Sequence, residues 1–208
     1  NTTINKVFLA DRNGTTILLE KSGNNWKIND KYLVRKDAID ILLSTIRDIE
    51  IQKPVPMTHI EDVIKHLSTK GVKVEIYQEN KLIRVYTVGG ETPNQLGTYM
   101  FLQGSKEPYI MHIPGFNGYL SPRYGIQGSR INHRIWRDRT IFDLDFNEIN
   151  NITLNHIQDP TLSFSLNLSP IELYNSNNRI IQNNKDKIFT FISNFKNLNC
   201  EAFKEEKK

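Results

Sequence analysis

The two ends of this chain repeat each other, and a duplication limits the available folds more than any other sequence signal. In residues 4–55 and again in 149–203, short extended runs lead into one apolar-striped helix and a closing strand. Val7, Leu9, Ile17 and Leu19 align with Ile152, Leu154, Leu162 and Phe164 at one constant offset. The helical positions Ile39, Leu42, Leu43, Ile46 and Ile49 align with Ile188, Phe191, Ile192, Phe195 and Leu198 at a slightly larger one, so only a connecting loop has to differ in length. This pattern predicts packed sheet-and-helix units and offers no catalytic framework.

In the first copy, Asn13-Gly14 between alternating apolar runs predicts a hairpin, because both residues tolerate positive φ. A turn over Ser22-Gly23-Asn24-Asn25 then puts Trp26 and Ile28 on one face of a third strand. Apolar residues at 38, 39, 42, 43 and 46 predict a helix over 36–47, with Asp37 and Arg47 complementing its dipole. Thr58 and Glu61 have capping-box spacing before a second helix, 60–67, for which Gly71 is the expected stop. The period then changes to two, and runs at 72–76, 82–88, 98–102 and 109–113 predict a four-strand meander with one buried face. The second copy repeats the plan more loosely, without a counterpart of Trp26 and with its helix over 185–196.

The expected fold class is therefore α+β. Mainly antiparallel sheets, with a central four-strand meander, lie between two pseudo-repeated β-hairpin/helix/strand lobes. The segments expected are a lobe at 4–56, a helix plus meander at 57–120, an Arg/aromatic connector at 121–148 and a second lobe at 149–205. Short turns join them, so one continuous body is expected.

Composition narrows the functional classes. No run approaches the roughly 20 apolar residues that span a bilayer, which predicts a soluble piece. Cys200 is the only cysteine, so neither an internal disulfide nor a thiolate metal cage holds the fold. It alternates with Leu198 and Ala202, which predicts a small buried side chain. Net charge is +4, and between residues 121 and 140 five arginines face a single aspartate, so the rest of the chain is balanced. A nucleic-acid binder spreads its basic residues over a face or helix with stacking aromatics, and here the excess is confined to one connector. The chain starts at Asn1 with an extended run close behind, so a leader or anchor is expected upstream. The Lys/Glu-rich end at 204–208 is expected as a solvated strand end or tail, open to continuation.

Several motifs together resemble a known family. They are Leu9-Ala10-Asp11-Arg12-Asn13-Gly14, Val34-Arg35-Lys36-Asp37-Ala38-Ile39, Lys53-Pro54-Val55-Pro56, Gly97-Thr98-Tyr99-Met100, His112-Ile113-Pro114-Gly115-Phe116-Asn117-Gly118-Tyr119-Leu120 and Trp136-Arg137-Asp138-Arg139. The chain resembles the DUF4340 family of uncharacterised bacterial envelope proteins, in the form typical of Bacteroidota, most clearly as far as Ile152. The resemblance implies an N-terminal transmembrane or lipid anchor just upstream and an extracytoplasmic soluble part. Related domains occur beside auxiliary subunits of ABC transporters, some linked to gliding motility. It implies no catalytic residues.

The residues themselves give no HExxH pattern and no nucleophile elbow. His59 and His66 are seven apart on one helix, too far for one ion, and read as surface histidines. His112 alternates with Met111 and Ile113 in a strand. Asp143, Asp145 and Glu148 read as a solvated loop, and Gly89-Gly90 lacks the Gly-Lys-Ser/Thr of a phosphate loop. No catalytic, cofactor-binding or metal-binding residue is assigned.

The best candidate surface is 112–139, where Phe116, Tyr119 and Trp136 mix with Arg123, Arg130, Arg134, Arg137 and Arg139. Aromatics and arginine dominate interface energetics. The plainer expectation for each residue is that the aromatics pin the connector to the meander while the arginines pair with acids.

The leading expectation is a non-enzymatic, membrane-tethered binding or scaffold module of the cell envelope. It would lie in the periplasm or on the envelope and engage a partner protein, such as a transport or motility assembly, without cofactor or nucleic acid. The alternative is a receptor for a small anionic or glycan ligand between the meander and the 115–120 bend. A hydrolase using His112 with Asp143 or Asp145 is a third.

Overall fold

A computed structural model describes residues 3–182 and 184–203. The expected tail at 204–208, and with it the last positions of the 149–205 lobe, lies outside the described residues. The fold class is α+β: among the described residues, three α-helices accompany one nine-stranded antiparallel sheet and three small sheets. The chain divides into two compact units, residues 1–138 and 139–208.

In the first unit the strands are β1 (Lys6–Ala10), β2 (Thr16–Ser22), β3 (Asn25–Ile28), β4 (Tyr32–Leu33), β5 (Glu50–Pro54), β6 (Val72–Gln78), β7 (Lys81–Glu91), β8 (Thr98–Leu102) and β9 (Tyr109–His112). They lie in the order β4-β3-β2-β1-β6-β7-β8-β9-β5. The meander β6–β9 forms in sequence order, but β1 pairs directly with β6, so the lobe at 4–56 and the segment 57–120 share one sheet. Helix α1 (Lys36–Asp48) connects one edge strand, β4, to the other, β5.

Period-two alternation sends Val7, Leu9, Ile17, Leu19, Trp26 and Ile28 to one face, where they meet Ile39, Leu42 and Ile46 of α1. Val72, Val74, Ile76, Tyr86, Val88 and Met100 extend the same core. The opposite face carries a smaller core beneath α2 (Ile60–Lys70), made by Val55, Val63, Leu67 and Ile110 with Tyr99 and Phe101.

Two expected termini of α2 take another form. Its N-cap is His59, without a side-chain cap, after a 3-10 turn over Met57–His59, so the Thr58 capping box does not form. Gly71 has φ of −69° and ends the helix in extended backbone. Space is what requires glycine there, because a Cβ would stand 2.4 Å from both the Leu67 carbonyl oxygen and Thr87 Cγ2.

The connector is not an external strap. Leu120, Tyr124, Ile126, Ile131 and Trp136 are all buried in the main core, Trp136 with 2% of its surface exposed. The reason is geometric: nine strands are about 38 Å wide, and α1, about 20 Å long, cannot cover that face alone. Irregular chain has to seal what α1 leaves open. It does so with a 3-10 turn (Ser121–Tyr124) and a short hairpin of β10 (Ile126–Gln127) and β11 (Arg130–Ile131).

The second unit opens with β12 (Thr140–Phe142) and builds a three-stranded meander from β13 (Asn151–Leu154), β14 (Phe164–Leu168) and β15 (Ile171–Asn175). Helix α3 (Lys185–Ser193) and β16 (Leu198–Asn199) follow, and β16 pairs with β12. The core is small: Ile149, Leu166, Leu168, Ile188 and Ile192, with Phe164, Phe191 and Phe195 around them. The expected 121–148 segment is divided, because the boundary between units falls after Asp138.

Residues 149–203 run strand, strand, strand, helix, strand, residues 4–55 add the two-residue β4 before the helix, and in both the closing strand pairs outside its own meander. The strand alignment needs one correction. Val7 pairs with Leu19 and Leu9 with Ile17, while Ile152 pairs with Leu166 and Leu154 with Phe164. The counterparts of Ile17 and Leu19 are therefore Phe164 and Leu166, and Leu162 sits exposed in a 3-10 turn (Pro160–Leu162) of a longer loop.

Candidate interaction surface

The connector is fixed to the sheet by polar bonds as well as by packing. The Tyr124 and Tyr86 hydroxyls are 2.8 Å apart in the core, with the rings edge to face. Burial pushes both phenols above their ordinary value. The Leu120 N–H donates to Thr98 Oγ1 at 2.6 Å, and the Ser121 hydroxyl donates to the Gly89 carbonyl at 2.7 Å. Trp136 packs against Gly125, whose φ is +68° and whose added Cβ would be 2.6 Å from the indole nitrogen.

Asp11, in the hairpin loop, is the anchor that sequence reasoning missed. Its Oδ1 accepts from the N–H groups of Asn13 and Thr15 at 2.9 and 3.0 Å, and its Oδ2 from Ile131 N–H at 3.3 Å. Burial acts to raise its pKa, but the backbone donors Thr15, Ile131 and Asn13 together outweigh it and hold the carboxyl below its ordinary value. An aspartate in a turn motif is the signal that marks an Asx-type loop. Nothing in the sequence pointed to a bond with Ile131, far along the chain.

The eight candidate residues separate. Arg123 donates from Nε to Thr45 Oγ1 at 2.6 Å, in the last turns of α1, and its guanidinium lies 4.8 Å from the centre of the Phe116 ring. Arg137 lies 3.7 Å from the centre of the Tyr32 ring, beside β4, and pairs by a backbone bridge with Val34 just before α1. A helix of α1's length puts about 20 Å between those two places. Phe116 and Arg130 are exposed, whereas Tyr119 and Arg134 are half-buried. Trp136 is core, and Arg139 belongs to the second unit, where its carbonyl accepts from the Cys200 N–H at 2.8 Å. The structure thus brings together Phe116 with Arg123 and leaves the other arginines on separate supports.

Of the acidic and histidine candidates, His112 lies in a strand and Asp145 at a 3-10 turn. His112 is on β9, opposite Glu50 of β5. Asp145 caps a 3-10 turn (Phe146–Glu148), its N–H donating to the Glu148 carboxylate at 2.7 Å, and pairs with Lys196 at 2.7 Å. Among the described residues, no group of three or more His, Cys, Asp and Glu is placed to hold a metal, and no helix is long and apolar enough to cross a membrane.

Two concave surfaces of the first unit lie elsewhere. On the core face of the sheet, beyond the connector, an apolar groove of about 260 Å³ is lined by Ile49, Ile51, Met100, Leu102, Tyr109 and Met111, with Arg84 and Tyr86 at its side. Ile51 is 57% exposed and Leu102 45% exposed there. On the opposite face a cleft of about 640 Å³ is lined by Lys53, His59, Asp62, His66, Glu91 and Tyr99, among others. It opens where β7 shifts register between Val88 and Glu91. Neither was legible in the sequence, because each depends on β5 closing onto β9 across 54 or more intervening residues. His59 and His66 are seven positions apart, and the fold sets both along this one cleft.

A family model described as "Domain of unknown function (DUF4340)" matches residues 26–208. Comparison with curated proteins gives no match, and comparison with solved structures gives none either.

Proposed function

We propose that this chain, which belongs to the DUF4340 family, is a non-catalytic binding module that engages a partner protein. One observation carries the reading: the groove between Ile49, Ile51, Met100, Leu102 and Met111 leaves large apolar side chains open to water on the core face of the sheet. Methionine adapts its shape to a partner at little cost, and two line this groove. Arg84 beside it supplies a polar rim. The volume is small for a drug-sized ligand and suits the insertion of one or two side chains from a protein surface.

The setting proposed is the extracytoplasmic side of a bacterial cell envelope, on a tether preceding Asn1, with a transport or motility assembly as the partner. This part rests on the family likeness alone.

Cross-linking of the native full-length protein, followed by purification, tests the binding reading. The Ile51→Asp/Leu102→Asp variant places two charges in the groove at positions that already face water. It should lose the principal cross-linked partner while its thermal midpoint stays within a few degrees of wild type. The same partners at the same yield would overturn the reading.

The cleft beside α2 favours a second reading, a receptor for a small anionic or glycan ligand held by Lys53, His59 and His66. This reading moves the ligand from the place expected beside the 115–120 bend to the cleft. Ligand binding to the folded state raises the melting temperature, so screening sugars and lipid headgroups decides it. A rise that disappears in Lys53→Ala/His66→Ala supports this reading, and no rise at millimolar ligand retires it.

A further inference from the structure

The second unit carries an open sheet edge that its own duplicate in the first unit explains. Its meander runs β13-β14-β15, so β13 has a neighbour on one side only. The opposite edge is closed by the chain itself: beside β15, Ile181 N–H donates to the Leu173 carbonyl and Asn175 N–H to the Arg179 carbonyl. No such closure is present beside β13 among the described residues.

Open edges are ordinarily guarded by charge, proline, bulges or brevity. The edges of the large sheet obey this rule, since β5 carries Glu50, Lys53, Pro54 and a register shift, and β4 is two residues long. By contrast β13 reads Asn151-Ile152-Thr153-Leu154, with no charge and no proline.

The counterpart of β13 is β1, with Val7 at the place of Ile152 and Leu9 at that of Leu154. The far side of β1 is occupied: Val7 faces Ile76 and Leu9 faces Val74 of antiparallel β6. The hydrogen-bonding phase of β13 leaves the same side available. Leu168 N–H donates to the Asn150 carbonyl at 3.1 Å, which makes 150, 152 and 154 the positions bonded to β14 in the alternating ladder. Asn151 and Thr153 therefore turn their N–H and C=O groups outward.

The side chains define what fits. On the helix side Ile152 is half-buried and Leu154 exposed, while on the other side Asn151 and Thr153 bond among Ser165 and Asn167. We propose that β13 is a docking edge for an antiparallel strand of a partner polypeptide, with aliphatic residues opposite Ile152 and Leu154 and polar residues between them. Main-chain bonds would supply affinity and the alternation specificity, as in other strand additions. This edge is independent of the groove in the first unit.

Residue-resolved hydrogen exchange on the full chain tests it, with a peptide of the sequence of residues 71–79 as the stand-in for β6 and a scrambled peptide as control. At saturating peptide, exchange at Asn151 and Thr153 should slow about tenfold or more, with little change at Ile152 and Leu154, whose amides already bond to β14. Thr153→Pro removes an outward donor without touching the bonds to β14, and Thr153→Lys adds a guarding charge. Both should abolish the slowing and keep the fold. No slowing with millimolar peptide, or slowing that survives both variants, would overturn the proposal. A concentration-dependent dimer that Thr153→Pro abolishes would give the edge to a second copy and overturn the partner assignment.

Discussion

The Tyr86–Tyr124 pair ties the connector to the sheet through two hydroxyls 2.8 Å apart in a closed core. Replacing either tyrosine with phenylalanine removes one partner and leaves the other hydroxyl buried without its bond, a cost of about 1–3 kcal/mol. Replacing both removes the orphan, so the double variant should cost much less than the two single costs together. The coupling expected is about 1–2 kcal/mol. Urea unfolding followed by tryptophan fluorescence is a direct assay, because Trp26 and Trp136 are both core residues of the first unit. A second signature appears at high pH. Both folded-state phenols titrate above the ordinary value of 10.0. The unfolded chain therefore releases protons first as pH rises through about 10, and stability falls from there upward. The Phe/Phe variant should show a weaker alkaline decline than wild type. Additive single costs, or a Tyr124→Phe variant as stable as wild type, would refute the burial of the connector that the argument rests on.

Asp11→Asn keeps the shape of the side chain but weakens three bonds to backbone N–H groups, and should cost about 2–3 kcal/mol by urea unfolding. Because the folded pKa is depressed, the wild-type carboxylate contributes stability above the unfolded value near 4 that is lost as pH falls below it. The variant's acid unfolding profile should accordingly be flatter. Gly125→Ala combines positive φ with a Cβ 2.6 Å from the Trp136 indole, so it should destabilise the first unit by more than about 1 kcal/mol. Arg130→Glu, at an exposed position of the same connector, should stay within about 0.5 kcal/mol of wild type.

Much of the fold was legible because it is local. Alternation gave the faces of β1, β2 and β6, the 3.6-residue stripe gave α1, and the matching stripe at Ile188 and Ile192 gave α3. The order of elements is similar at the two ends apart from β4, with the β14 register displaced because a 3-10 turn lengthens one loop. What stayed hidden depends on contacts between distant segments. The connector's buried residues, Leu120, Tyr124, Ile126, Ile131 and Trp136, follow neither period, so no pattern marks them as core, and the arginines between them suggested an outer surface. Those arginines lie on other parts of the fold instead, Arg123 against α1 and Arg137 over Tyr32. The groove likewise exists only once β5 pairs with β9, and the open edge of β13 is apparent only beside the filled edge of β1.

Native-state hydrogen exchange across residues 120–136 reads out whether the connector is part of the first unit's core. The Leu120 N–H bonded to Thr98 and the Ile131 N–H bonded to Asp11 should exchange as slowly as the core amides of β1 and β6, through the same global opening. Exchange at those two amides at the rate of an open loop, while β1 and β6 stay protected, would contradict it.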